Sequence, residues 1–364
     1  MKRLFIVLSL AVVLPAFGQP TPRISNAQVQ TSTASAGLEK TVRSLIGQSK
    51  DTVWIGYAVP TQSSSRFICC CGNFRGFEDR GGCYGGCQLE DDRGSYYRGS
   101  NSGLDELTCA SAAPPTHVFI FLRTQGGKIT RVRPFSANCA LDARNVGVRW
   151  LTDVRERESI EFLASLARNA DDLGSFRADG GALNAIALHQ DPAADVALEG
   201  FLGPKTPSHS REQAAFWIAV ERGHHGFEVL QRTIRNDSDD SFRKQLTFDI
   251  SQSSDPGSVP ELLRSAHQDS SSEVRGQALF WLAQKAGSKM AQEIGDAIDN
   301  DPDTDVKKKA VFALTQMPND EGVTKLIEVA SKNHNPIVRK EAIFWLGQSG
   351  DPRALSYIEQ VLLK

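Results

Sequence analysis

The chain has 364 residues, with 41 Lys and Arg against 43 Asp and Glu, and a formal net charge of -2. Its 40% hydrophobic and 23% charged residues are those of a globular protein with room for about two domains, and they exclude a disordered chain. Charges of both signs are interspersed, so the massed basic footprint that a nucleic acid or an anionic membrane would require is missing from the pattern.

At the start, Lys2 and Arg3 precede an apolar run over residues 4–14, and Ala16-Phe17-Gly18 then gives a small-x-small site before Gln19. That order is the one a signal peptide uses, so residues 1–18 are expected to be cleaved near Gly18/Gln19 and the product to be periplasmic or secreted. The apolar run is short for a bilayer span, and membrane attachment is expected only if the segment stays uncleaved. Residues 19–50 follow as a flexible linker, rich in Ser, Thr and Gln up to Ala36. A short helix is expected at its end, because Leu38, Val42, Leu45 and Ile46 share one helical face.

Residues 51–150 change to a strand pattern. Short apolar or β-branched runs at 53–59, 66–71, 117–123 and 128–135 are bounded by Gly, Pro and Ser. Gly126-Gly127 lies between the last two runs, and both central residues of a tight hairpin turn need positive φ. The long Gly-rich excursion over 72–111 needs staples or a function. All seven Cys fall in this region: Cys69, Cys70, Cys71, Cys83, Cys87, Cys109 and Cys139. In an oxidising compartment they read first as a disulfide framework, whose connectivity the sequence leaves open and whose odd member is free or pairs between chains. Metal binding and redox chemistry are the alternatives, although no paired C-x-x-C zinc spacing is present. Residues 151–175 are expected to form a connecting or capping helix carrying Ile160, Phe162, Leu163 and Leu166.

The remaining residues, 176–364, repeat with a period of 32. Arg211, Arg243, Arg275, Lys307 and Arg339 recur without insertion or deletion. Behind each comes a small or apolar residue (Ala214, Leu246, Ala278, Ala310, Ala342), then Phe (216, 248, 280, 312, 344), then Ile or Leu (218, 250, 282, 314, 346). A more degenerate copy begins near Asp179, which makes about six units. Apolar positions at helical spacing flank a Gly/Asp/Pro break in each, so a unit is expected to be two antiparallel helices. Asp239, Ser271, Asp303 and Asn335 occupy the N-cap position of the first helix. The fold class is therefore α+β by domain, an α-α superhelix preceded by a small Cys-rich β domain.

The pattern Val338-Arg339, Ala342, Leu346-Gly347, Gly350-Asp351-Pro352 resembles the HEAT-like repeat of the phycobilisome-lyase type found in many bacterial proteins, which makes the chain, with its signal-like start, an expected exported bacterial HEAT-like repeat protein. The resemblance covers about half the chain and implies an α-solenoid that presents a curved surface to a protein partner. A minority of relatives are enzymes, among them bilin lyases and the di-iron deoxyhypusine hydroxylases, whose His-Glu ligand pairs have no counterpart here because none of the seven His is followed by Glu.

Three ladders bear on function. The Arg/Lys ladder is expected to pair with carboxylates or helix ends of the neighbouring unit. Gln252, Gln284, Gln316 and Gln348 are expected to bond orphan carbonyls between the two helices. The aromatic ladder, with Phe216-Trp217, Phe280-Trp281 and Phe344-Trp345 in alternate units, cannot point wholly into one core, because consecutive residues lie about 100° apart on a helix. These six residues are the candidate partner contacts. His224-His225 reads as a solvated turn, and the stretch 81–86 as a loop. No catalytic motif stands out. The expected function is that of a non-enzymatic binding or scaffold protein without a cofactor, its partner a protein and not a nucleic acid. The alternative is an enzyme or a metal or redox protein using the Cys-rich region, or a lyase-type HEAT enzyme.

Overall fold

A computed structural model describes residues 19–48, 50–62, 87–90, 115–137, 139–169, 176–317 and 321–363. The expected signal segment, the run at 66–71, the stretch 81–86 and Cys69, Cys70, Cys71, Cys83 and Cys109 lie outside the described residues. In chain order the N-terminal part contains β1 (Arg23–Ser25), β2 (Val29–Thr33), α1 (Leu38–Gln48), β3 (Val53–Pro60), β4 (Cys87–Gln88), β5 (His117–Gln125), β6 (Lys128–Ser136), β7 (Ala140–Asp142), β8 (Gly147–Thr152) and α2 (Glu156–Arg168).

Five strands form one mixed sheet in the order β2-β8-β3-β5-β6, and β1-β7-β4 form a second, small sheet. The hairpin at Gly126-Gly127 has φ values of 61° and 80°, the mirror-image turn that joins β5 to β6. Alternation along the strands sorts the larger sheet into two faces. Ile55, Tyr57, Val59, Ile120, Leu122 and Leu151 belong to one buried cluster, together with residues of α1 and α2. Trp54, Phe119, Phe121, Val148 and Trp150 belong to the other, closed by Leu89, Leu141 and Ala143 of the small sheet and its flanks. Gly56 makes room there, since a Cβ on it would meet Phe121 at 2.6 Å. Cys139 is buried in this second cluster and is disulfide-bonded.

Two expectations are corrected. The linker supplies β1 and β2, and β2 pairs in parallel with β8 from Val29↔Val148 to Thr33↔Thr152. All five β2 side chains are exposed, so the strand buries nothing that could leave an alternating pattern; backbone hydrogen bonds hold it at the sheet edge, with Thr33 Oγ1 also donating to the Asp153 carboxylate at 2.7 Å. Secondly, β8 extends through Thr152, so the joining helix begins only at Glu156. Ile160, Phe162, Leu163 and Leu166 of α2 are buried as the spacing requires.

Beyond α2 the helices run in antiparallel pairs: α3 (Phe176–Ala187) with α4 (Ala193–Glu199), α5 (Ser208–Glu221) with α6 (Gly223–Asn236), and α7 (Asp240–Gln252) with α8 (Ser258–Gln268). They continue as α9 (Ser272–Ala286) with α10 (Ala291–Asn300), α11 (Thr304–Thr315) with α12 (Val323–Lys332), and α13 (Pro336–Ser349) with α14 (Pro352–Leu362). Asp239, Asp303 and Asn335 cap their helices through side-chain oxygens. Ser271 makes no such bond; Asp269 instead accepts from the Ser271 N–H at 2.9 Å. Gly350 stops α13 at φ 68°, the left-handed turn for which a residue without Cβ is suited.

Sheet and helical array share one core that runs from Ala34 to Ala354. At the junction α3 lies against β6 so closely that a Cβ on Gly181 would sit 2.2 Å from the Val132 carbonyl oxygen. The junction also holds a buried polar chain. Tyr57 of β3 and Ser159 of α2 are 2.9 Å apart, Ser159 and Nε2 of His189 2.9 Å, and Nδ1 of His189 and the Ala185 carbonyl 2.7 Å. The carbonyl can only accept, so Nδ1 carries the hydrogen and Nε2 accepts from Ser159, which in turn accepts from Tyr57. Arg222 closes the junction by donating to the carbonyls of Ala187 (3.0 Å) and His189 (2.7 Å) and to both carboxylate oxygens of Asp195.

Candidate partner-binding surface

Along one side of the array the first helices carry a continuous row of rings. Phe216 stacks on Phe248 with centroids 6.0 Å apart and planes at 9°, and Phe280 stacks on Phe312 at 5.9 Å and 13°. Between these stacks a Trp is inserted: Trp281 meets Phe248 at 4.9 Å, and Trp345 meets Phe312 at 4.8 Å. Each Trp also meets the Phe before it edge to face, as in Phe216-Trp217, Phe280-Trp281 and Phe344-Trp345. The alternation of units explains the two geometries. Where the residue after Phe is Trp, the indole tilts against the preceding ring; where it is Asp249 or Ala313, the two Phe rings face each other directly.

All of these rings except Phe344 are half-buried, and Phe344 is 54% exposed. The six sequence candidates therefore lie on one surface, and Phe248 and Phe312 connect them, though neither has an adjacent Trp to mark it. Half-burial follows from position: Ala214, Ile218, Leu246 and Ile250 on the same helices face the core, and the rings stand to one side of that line. Rigid aromatic side chains on a stacked backbone offer apolar area at small cost in conformational entropy.

The charged ladder is absorbed by the fold. Arg243 donates to both oxygens of Asp269 at 3.0 Å, and Arg275 to both oxygens of Asp301 at 2.8 and 3.1 Å. Arg211 bonds Asp237 in the same way relative to its unit. Each arginine thus ties its helix to the Asp that opens the next unit. Arg243 and Arg275 also bond the carbonyl of the Asp before them, at 2.9 Å in each case. At the next step both partners change together: Lys307 donates to the Asp299 carbonyl at 2.6 Å, and Asn333 donates to the Asp299 carboxylate at 2.8 Å. The expected glutamine contacts with orphan carbonyls take another form, since Gln252 and Gln316 donate to the hydroxyls of Ser251 and Thr315. His224 and His225 stand in the first turn of α6, against Asp255 (2.7 Å) and Glu199 (3.1 Å) respectively. Among the described residues no group of His, Cys, Asp and Glu has the arrangement of a metal site.

Asp249 is the exception in the row. It occupies the Trp position of its unit, is wholly buried, and accepts from Gln245 at 3.3 Å through one oxygen while the other has no partner. Burial pushes its carboxyl well above the ordinary value, reinforced by the nearby Glu212. The folded chain therefore keeps a proton that the unfolded chain releases above about pH 4, so this residue lowers stability as pH rises. In Asp249→Asn the melting temperature should exceed that of the parent at pH 7, with the gap closing near pH 4. Thermal melts at both pH values check this, and an equal gap at the two would contradict it. Trp217 and Trp281 likewise bury an indole N–H without a partner, whereas Trp345 donates to Glu341 at 2.8 Å.

Residues 291–364 match the family model for HEAT repeats, so the C-terminal helix pairs are HEAT repeats. No curated protein matches the chain. Among solved structures it is similar to human deoxyhypusine hydroxylase in complex with glycerol, at 12% identity and a TM-score of 0.30, over 56% of this chain and 90% of that one. It is also similar to the complex of CpcE and CpcF of phycocyanin lyase from Nostoc sp. PCC7120, at 16% identity and a TM-score of 0.29, over 55% of this chain and 80% of that one. Likenesses this distant carry nothing about chemistry.

Proposed function

We propose that this chain is a non-enzymatic scaffold that binds a protein partner along the aromatic row from Phe216 to Phe344. The observation that carries the reading is the row itself: rings from successive helices in unbroken contact, half-exposed beside a basic ladder whose Arg211, Arg243 and Arg275 are held by Asp237, Asp269 and Asp301. A partner presenting apolar or aromatic side chains at the spacing of stacked helices would cover the rings in turn. The pairing of Arg with Asp between units leaves no basic stripe for an acidic ligand, which favours apolar recognition. We further place the protein in an oxidising compartment, outside the cytoplasm, a reading supported by the signal-like order of residues 1–18 and by the disulfide at Cys139.

A displayed peptide library screened against the full chain tests the binding site. Selected peptides should be enriched in aromatic and aliphatic residues, and Phe248→Ser with Phe344→Ser should weaken the best of them by about tenfold or more at unchanged far-UV circular dichroism. Peptides that bind the double variant as tightly as the parent would place the site elsewhere.

A further inference from the structure

The aromatic row has a second ladder beside it, and the two together specify the backbone of the segment that would cover them. Phe248, Phe280 and Phe312 are followed four residues on by Gln252, Gln284 and Gln316, one helical turn away on the same face. Gln284 is exposed and the other two are half-buried. Gln252 and Gln316 each donate to the hydroxyl of the residue before them, Ser251 at 3.0 Å and Thr315 at 2.9 Å. A carboxamide has two N–H donors and a carbonyl oxygen, so that single bond orients the group without exhausting it.

The charges at the middle of this face answer one another. Glu273 accepts from Lys244 at 3.0 Å and from Lys309 at 2.6 Å. The complementary segment is therefore uncharged. It offers apolar side chains to the rings and main-chain amide groups to the glutamines. An α-helix has spent its main-chain groups internally, and would leave the glutamines without bonds.

Spacing separates the remaining backbones. The first helices α5, α7, α9 and α11 pack side by side, and packed helices lie about 8–10 Å apart. A β-strand returns a side chain to the same face every second residue, about 6.6 Å on, and falls out of step with the helices within two units. A polyproline II segment returns one every third residue, about 9.3 Å on, and has no internal hydrogen bonds. It meets one ring and one glutamine per unit and keeps doing so. The ring geometry suits proline as well. Phe216 and Phe248, and Phe280 and Phe312, face each other along the array at 9° and 13°, so their edges turn outward and ridge the surface across the direction of the ligand. Proline-rich segments dock on aromatic-lined surfaces of this kind at small entropic cost, because their backbone is already extended.

Resting on the row as the partner surface, we infer that it takes an uncharged, proline-rich segment in polyproline II conformation, with an apolar residue at every third position and its main chain bonded by Gln252, Gln284 and Gln316.

Fluorescence anisotropy of the full chain with three labelled peptides tests this. The first is four Leu-Pro-Pro triplets with a Gly-Ser tail, the second a permutation of it with leucines two and four residues apart, and the third a helical peptide with leucines at heptad spacing. The triplet peptide should bind at least about tenfold more tightly than either of the others. Gln284→Leu with Gln316→Leu should weaken it by about tenfold at an unchanged helical circular dichroism signal, whereas a purely apolar contact would tighten with the added leucines. Equal affinity for the triplet and permuted peptides, a tighter grip on the helical one, tighter binding by the leucine variant, or no binding of the triplet peptide would overturn the inference about backbone class. Triplet binding that Phe248→Ser with Phe344→Ser leaves unchanged would overturn the row itself as the partner surface.

Discussion

Arg243→Leu should lower the unfolding free energy by about 3–5 kcal/mol, measured as a shift in the urea midpoint, because it leaves a carboxylate buried without its partner. The side chains of Arg243 and Asp269 are 9% and 5% exposed, so water cannot take the place of the guanidinium. The loss has a second part. The Asp237 carbonyl gives up the bond it receives from Arg243 at 2.9 Å, at the start of the same helix. Combining Arg243→Leu with Asp269→Leu should recover most of the loss, since desolvating a buried pair offsets much of its attraction and apolar residues of similar volume replace it at small cost. What remains is the loss of the bond that Asp269 accepts from the Ser271 N–H and of the one that the Asp237 carbonyl accepts from Arg243. The step at Lys307 supplies a comparison within the same molecule. That residue is partly exposed and its counterpart is Asn333 instead of an Asp, so Lys307→Met should cost less than about 1 kcal/mol. Equal losses at 243 and 307 would show that the ladder contributes through packing and not through charge.

Acid should loosen the junction between sheet and helices before it affects the far helix pairs. Burial lowers the pKa of His189 to about 4 from an ordinary 6.5, with the Arg222 charge adding to the effect. As pH falls below 6.5 the unfolded chain takes up a proton that the folded chain refuses until about pH 4, so stability declines across that window. The shift corresponds to about 3 kcal/mol lost by pH 4. The hydrogen-bond directions account for the refusal: protonating Nε2 removes the acceptor for Ser159, and Ser159 is the acceptor for Tyr57. His189→Gln should flatten this part of the pH profile while lowering stability at pH 7, where the neutral ring is well bonded. Chemical unfolding from pH 7 to pH 4 on parent and variant checks the sign, and an identical slope in both would remove His189 from the account. Asp249 acts in the opposite direction, so each variant is compared with its parent at every pH.

The helical half was legible because its signal is repeated. One unit with Asn335, Pro336 and Gly350 suggests a helix; five in register leave little freedom. The rings were legible for the same reason, and so was the alternation of Trp that sets stacked against tilted geometry. Asp249 could have been found by the same alignment, as a carboxylate at a ladder position filled by Trp217, Trp281 and Trp345. Other features left no periodic trace. β2 has no buried side chain, and a strand held by its backbone looks like any polar stretch. The Tyr57-Ser159-His189 chain joins three residues from different elements, and nothing local to any of them marks the others.

The position of β2 has a consequence for the order in which the molecule can be made. Each helix pair closes contacts within a single period, but the strand that starts at Val29 must wait for the one that starts at Gly147, because its ladder partner is β8. Loop closure of that length is slow, and chains rich in such pairings fold later than those with local ones. Helix pairs can therefore gain structure one after another while the sheet is still searching for its edge. Until β5 and β6 have paired, α3 has no β6 surface to rest on, and the first helix pair stands open to solvent. Folding of this protein is thus expected to end where the chain begins.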